Sequence, residues 1–167
     1  MTSFRVVRKR RRREGKTDYS SRISLLKSNS RIIFRKTNRY IIGQLVTSFQ
    51  AQDKVEIGLT SKELLEYSWP KDSSGSLKSI PASYFTGYLL GKKILDKDIK
   101  QGILDIGLTR NIKKSRIYAF LKGLIDSGLK LKSSSEIFPD ESRIRGRHMK
   151  KSLEFDKIKS AIDKKFV

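Results

Sequence analysis

The sequence predicts an α/β domain with a mixed sheet and helices covering its faces. Three observations predict it. Three β-rich runs follow one another between residues 32 and 59, close enough to form a meander. Two later segments, Tyr84 to Leu95 and Ile117 to Ile125, carry apolar residues at helical spacing. A short apolar run, Ile103 to Gly107, lies between those helices and reads as a further, buried strand. Strands that first meander and then alternate with helices make a mixed sheet.

Taken in order, residues 1–16 form a basic arm, in which Arg8-Lys9-Arg10-Arg11-Arg12-Arg13 is an unbroken run of like charge. Such a run repels itself and stays extended until something anionic orders it; a localisation-like patch and plain disorder are the other readings. Asp18 to about Ser28 reads as a short helix, with Ile23, Leu25 and Leu26 on its apolar side. Ile32–Arg35 and Tyr40–Val46 are strands, and Lys36-Thr37-Asn38-Arg39 supplies the turn of a hairpin. Val55–Leu59 alternates as a third strand should. Thr60 and Glu63 fit a capping box opening a short helix that ends near Trp69-Pro70. Lys71 to Ser79 is a polar loop, and Pro81 opens the next helix, which runs to about Lys97. Gly87 and Gly91 share one face of it, and close helix–sheet packing is the preferred reason. Ser115 caps a helix striped by Ile117, Phe120, Leu121, Leu124 and Ile125, and Gly128 suits its end. A short strand follows near Leu129–Leu131. A last basic helix runs from about Ser142 to Lys165, entered through Pro139-Asp140-Glu141. The expected division is an arm (1–16), an α/β core (17–138) and a basic C-terminal helix and tail (139–167).

Charge decides the partner class. Lys and Arg number 38 against 17 Asp and Glu, a net charge of +21. Self-repulsion on that scale is relieved by a polyanion, of which nucleic acid is the first candidate and an anionic membrane surface the second. The chain has no cysteine and one histidine, His148, which removes disulfides, thiolate metal sites and His-rich zinc sites. No apolar run approaches the ~20 residues of a membrane-spanning helix, and no apolar stretch follows the basic N-terminus as in a secretory signal. A cytosolic protein is expected.

Catalytic groups are sparse. His148 lies among Arg143, Arg145, Arg147, Lys150 and Lys151, which suits an RNA-facing helix better than acid–base chemistry. Asp140 and Glu141 stand where a helix begins, so capping is the better reading. Asp105, inside an apolar strand, must find donors or a cation, with a backbone or Arg partner preferred over metal. No phosphate-binding Gly-rich loop is present, so no cofactor and no small-molecule substrate are expected.

RNA binding needs cations that reach phosphates and flat groups for unpaired bases. Basic residues gather in four places: the arm, the hairpin (Arg31, Arg35, Lys36, Arg39), the loop before the later helix (Arg110, Lys113, Lys114, Arg116) and the last helix. Phe34 and Tyr40 interleave with the hairpin cations, as core or as stacking groups.

Seven motifs in order then resemble the archaeal and eukaryotic branch of the ribosomal protein L-eighteen family. They are Arg10-Arg11-Arg12-Arg13-Glu14-Gly15-Lys16-Thr17-Asp18-Tyr19; Arg35-Lys36-Thr37-Asn38-Arg39; Pro81-Ala82-Ser83-Tyr84 with Thr86-Gly87; Leu104-Asp105-Ile106-Gly107-Leu108; Ser115-Arg116-Ile117 with Leu121-Lys122-Gly123; Phe138-Pro139-Asp140-Glu141; and Arg143-Ile144-Arg145-Gly146. The resemblance implies a ribonuclease H-like motif, no catalysis, and a cytoplasmic place in the large ribosomal subunit. It implies 5S rRNA as partner, with large-subunit (23S-type) rRNA and neighbouring proteins of the central protuberance, and no membrane. Nucleases of that fold carry a metal-binding Asp on the first strand, whereas Arg31-Ile32-Ile33-Phe34-Arg35 has no acid. With these motifs the expected RNA-binding set is Arg8, Lys9, Arg10, Arg11, Arg12, Arg13, Lys16, Tyr19, Arg35, Lys36, Asn38, Arg39, Arg110, Lys113, Lys114, Ser115, Arg116, Arg143, Arg145, Arg147 and His148. One departure stands out: members usually have Gly before the Ser-Arg pair, and here that residue is Lys114, which leaves the path of the loop open.

Overall fold

The computed structural model describes residues 10–28, 30–50, 52–99, 102–149 and 153–166. A helical turn α1 (Arg10–Arg13) and a short helix α2 (Tyr19–Leu25) precede three strands, β1 (Ser30–Lys36), β2 (Ile41–Phe49) and β3 (Gln52–Thr60). Helix α3 (Ile80–Leu95), strand β4 (Ile103–Asp105) and helix α4 (Arg116–Asp126) follow, then α5 (Glu141–Ile144) and α6 (Phe155–Asp163). The sheet order is β3-β2-β1-β4. β1, β2 and β3 pair antiparallel, with a bulge between Leu45 and Val46, and β4 lies parallel to β1 with Arg31 opposite Ile103. The crossover through α3 makes that last pairing parallel. The mixed α/β sheet expected from the sequence is therefore present.

The β1–β2 turn closes on Thr37. Its N–H donates to the Tyr40 carbonyl at 2.9 Å and its hydroxyl accepts from the Tyr40 N–H at 2.9 Å, leaving Asn38 and Arg39 at the tip. Ile32 and Phe34 alternate inward on β1, and Phe34 packs on Phe120 of α4 with ring centroids 5.2 Å apart. Phe34 is thus core and offers no face for a base.

Helix α3 is the centre of the domain. Ser79 caps it by accepting from the Ala82 N–H at 3.3 Å, and every residue from Ile80 to Gly91 is buried. Close packing at its glycines is with α4, not with the sheet as expected. A Cβ on Gly87 would meet the Phe120 carbonyl oxygen at 2.2 Å, and one on Gly123 would meet the Tyr84 carbonyl oxygen at 2.1 Å. The stripe on α4 is as expected, and Gly128 (φ +113) ends it. The Gly128 N–H donates to Ile125 and the Leu129 N–H to Leu124, the paired bonds that close a helix through a left-handed residue.

Several elements differ from expectation. The capping box opens a 3-10 helix, Ser61–Glu66, in which Glu63 accepts from the Thr60 N–H at 3.1 Å. The polar loop contains a 3-10 segment, Lys71–Ser76, fixed by the Trp69 indole donating to Ser73. β4 stops at Asp105, because the Asp105 carboxylate turns back to the Gly107 N–H. No strand forms over Leu129–Leu131, since Leu129 is spent on closing α4 and is buried there. The long last helix is broken into α5 and α6. Gly146, at φ +79, closes α5 as Gly128 closes α4, with the Arg147 N–H donating back to Ser142. Ile144, Ile158 and Ile162 then reach the same core as α3, and the Tyr88 hydroxyl donates to Asp163 at 2.7 Å. The arm also holds a helical turn where an extended run was expected. Glu14 takes Arg10 at 2.8 Å and Lys16 at 2.7 Å, which offsets part of the like-charge repulsion.

Candidate nucleic-acid interface

Alternation along β1 puts Arg31 and Arg35 on the face away from α3 and α4. Arg31 is 2% exposed, so its charge needs partners. It donates to Asp53 at 2.6 Å and Ser48 at 3.1 Å, and lies 3.5 Å from Asp105. Arg31 is therefore a structural cation, not one of the hairpin's RNA-facing groups. Burial alone would raise the Asp53 carboxyl; the Ser48 hydroxyl and the Arg31 and Arg22 guanidiniums outweigh it and hold it below the usual carboxylate range. Arg22 reaches Asp53 at 2.9 Å and so ties α2 to the sheet.

Asp105 finds the partners expected of a buried carboxylate. It accepts from Arg35 at 3.0 Å and from the Gly107 N–H at 2.7 Å. Arg35 also donates to the Asp105 carbonyl at 2.9 Å and to the Phe34 carbonyl at 2.8 Å. Gly107 is required here twice over. Its φ is +60, and a Cβ would stand 2.8 Å from the Arg35 guanidinium carbon.

β1, β3 and β4 run in the same direction, so the hairpin tip and the loop from β4 into α4 lie at one end of the sheet. There the N-terminal segment crosses the face, leaving a cleft of about 820 Å³. Arg11 and Lys16 from the arm, Arg22 from α2, Arg35 from β1 and residues 104–109 line it. Cations of the N-terminal segment and of β1 are brought together with the turn that follows β4, at the carboxyl ends of a parallel strand pair where open α/β sheets bind ligands.

The expected site residues divide by availability. Among the described residues Arg12, Arg13, Lys36, Arg39, Arg110, Lys113, Arg143 and Arg147 are exposed and make no ion pair. Arg10 and Lys16 share Glu14, Arg11 donates to Thr17, and Arg145 pairs with Glu141. Tyr19 is half-buried, while Asn38 and His148 are exposed. Arg116 is half-buried with its Nε enclosed and unpaired, and the Ser115 hydroxyl is enclosed and makes no cap. Arg8 and Lys9, like the flanking Lys150 and Lys151, lie outside the described residues. Sequence reading missed Arg22 as a cleft residue. The signal for it was its place four residues after the Asp18 cap on a short helix facing a strand with two arginines.

Lys114 resolves the path left open by the missing glycine. It takes φ +57, its N–H donates to the Ile137 carbonyl at 2.9 Å, and its ammonium reaches Asp140 at 3.0 Å. The loop keeps a left-handed turn and a lysine bears the strain. Lys114→Gly is expected to raise stability by about 1 kcal/mol, since the Asp140 pair it loses is exposed. Urea unfolding of the two proteins measures it, and a loss of stability would mean that the ion pair outweighs the strain.

The sequence profile of a family described as ribosomal large subunit proteins 60S L5 and 50S L18 matches residues 3–102. The chain is 44% identical over 161 residues to the large ribosomal subunit protein uL18 of Korarchaeum cryptofilum, covering 96% of this chain and 80% of that protein. It is 46% identical over 138 residues to the protein of the same name from Methanothrix thermoacetophila, covering 82% and 79%. The corresponding protein of Methanococcoides burtonii is 40% identical over 155 residues, covering 92% and 87%.

Proposed function

The chain belongs to the family of large-subunit ribosomal proteins that includes 60S L5 and 50S L18, and on that premise we propose that it binds 5S rRNA and helps anchor it to the large-subunit rRNA in the central protuberance. Its role there is structural. The observation that carries this reading is the gathering of Arg11 and Lys16 of the arm with Arg22 and Arg35 around one cleft, beside the end of the sheet from which the hairpin tip and the β4–α4 loop leave, in a chain of net charge +21. Exposed cations without internal partners keep their charge for an outside anion. The spread of Arg12, Arg13, Arg39, Arg110, Lys113, Arg143 and Arg147 over several elements suits a protein set among RNA helices and neighbouring proteins more than one reading a single groove.

Purifying the chain from its host and sequencing the co-purifying RNA tests the reading directly. Enrichment of 5S rRNA supports it, and a random RNA population refutes it. In a titration against 5S rRNA, neutralising about 8–10 phosphates should make log K fall with log salt at a slope of roughly −6 to −9. A slope near zero would remove the electrostatic basis.

The β4–α4 loop is a separate test. Arg110 and Lys113 are exposed and unpaired, whereas Arg116 is half-buried. Arg110→Glu with Lys113→Glu should therefore weaken 5S rRNA binding by about tenfold or more while leaving thermal unfolding unchanged. Unchanged affinity would take this loop out of the interface.

A further inference from the structure

We propose that the cleft beside the N-terminal segment holds one unstacked nucleotide of a bound RNA strand, its base on the Arg35 guanidinium face and its phosphates on Arg11 and Lys16. This rests on the RNA-binding reading above and names what occupies one part of that surface. Arg35 is the central observation. Three of its N–H bonds are spent in its own plane, on the Asp105 carboxylate, the Asp105 carbonyl and the Phe34 carbonyl, yet its side chain is 40% exposed. The Nε–H and one Nη2–H remain, while those three bonds lock the plane in place. What it presents is a flat, immobilised cationic face, and unpaired bases stack on such planes.

The walls fit a base beside that plane. Leu104 and Ile106 are half-buried there, and Leu108 is 58% exposed. An exposed leucine at the mouth of a cationic cleft contributes nothing to phosphate binding, but it packs against the edge of a nucleobase. The volume, about 820 Å³, exceeds what a phosphate needs and lies in the range of ligand pockets. The carboxylates lining the cleft, Asp18 and Asp105, are outnumbered by its cations Arg11, Lys16, Arg22, Arg31 and Arg35. Asp18 is engaged by the Ser20 and Ser21 N–H groups and the Ser21 hydroxyl, and Asp105 by Arg31, Arg35 and Gly107. Arg11 and Lys16 stand at the cleft, joined to neighbours only through exposed contacts that a phosphate can displace.

The test uses the full chain and a single-stranded RNA tetranucleotide carrying one 2-aminopurine, whose emission reports stacking. Binding should change the emission. Leu108→Glu, at an exposed position, should weaken that binding at least tenfold, and Arg35→Lys should abolish the emission change while keeping the charge. A duplex carrying the same base should give no emission change, and adenosine monophosphate should bind far more weakly than the tetranucleotide. The proposal is overturned if Leu108→Glu behaves as the parent, if the duplex gives the same signal, or if the free nucleotide binds as tightly as the strand. Affinity for 5S rRNA is read in parallel. Absence of the tetranucleotide signal in the unsubstituted chain, with 5S rRNA binding intact, refutes the cleft alone. An intact, variant-sensitive signal without 5S rRNA binding supports the cleft and refutes the functional reading alone.

Discussion

Gly123→Ala is expected to cost about 3 kcal/mol, lowering the melting temperature by roughly 6–12 °C. The added methyl carbon would stand 2.1 Å from the Tyr84 carbonyl oxygen and 2.8 Å from the Tyr88 nitrogen. Both are main-chain atoms of α3, so no rotamer change can relieve the contact. The two helices must move apart, and the Phe120 ring, which fills the space at Gly43, moves with them. Gly87→Ala meets the reverse contact, the Phe120 carbonyl oxygen at 2.2 Å, and should cost a similar amount. Because both changes separate the same pair of helices, the double variant should lose less than the sum of the two. Gly75→Ala is the control. Nothing lies within 4 Å of its Cβ position, and a change within about 0.5 kcal/mol is expected. Thermal unfolding of the four proteins decides it. A silent Gly123→Ala would mean that α3 and α4 are not held as closely as their backbones stand here.

Asp105→Ala should have an effect of the same size for an electrostatic reason. Removing one partner of a buried ion pair typically costs about 3–5 kcal/mol, because the remaining charge stays buried. Arg31 keeps Asp53 and Ser48, so the lower end, about 3 kcal/mol, is expected. The variant also frees Arg35 and the Gly107 N–H, so the β4–α4 loop loses its anchor. Affinity for 5S rRNA should fall as well as stability. Asp105→Asn separates the two effects. Its amide oxygen can still accept from Gly107, while the charge opposite Arg31 is gone. If Asp105→Ala proves as stable as the parent, Asp53 alone neutralises Arg31 and the loop needs no anchor.

Much of this was readable along the chain because it depends on near neighbours. Alternation at Ile32 and Phe34, the apolar stripe of α4, the Thr37–Tyr40 turn and the helix-ending role of Gly128 are set by residues a few positions apart. The same locality explains the misreading of the C-terminal segment. It reads as one basic helix from about Ser142 to Lys165, but Gly146 at φ +79 ends one helix, and Ile158 and Ile162 turn a second one inward. Sequence patterning saw a basic surface there and missed the core contacts, because the partner, Tyr88, is 75 residues from Asp163.

The α/β class, the strand meander, the excess positive charge and, through ordered motifs, the family are all legible along the chain. Each of these depends on composition or on short-range patterns. Which cations are available is settled by the fold. Arg31 and Arg35 look alike on one strand, yet Asp53 and Asp105, brought in from β3 and β4, hold the first buried and fix the second where 40% of its side chain stays exposed. A charge becomes structural or functional according to the carboxylates that the fold places beside it, and that depends on long-range contacts that no local pattern records.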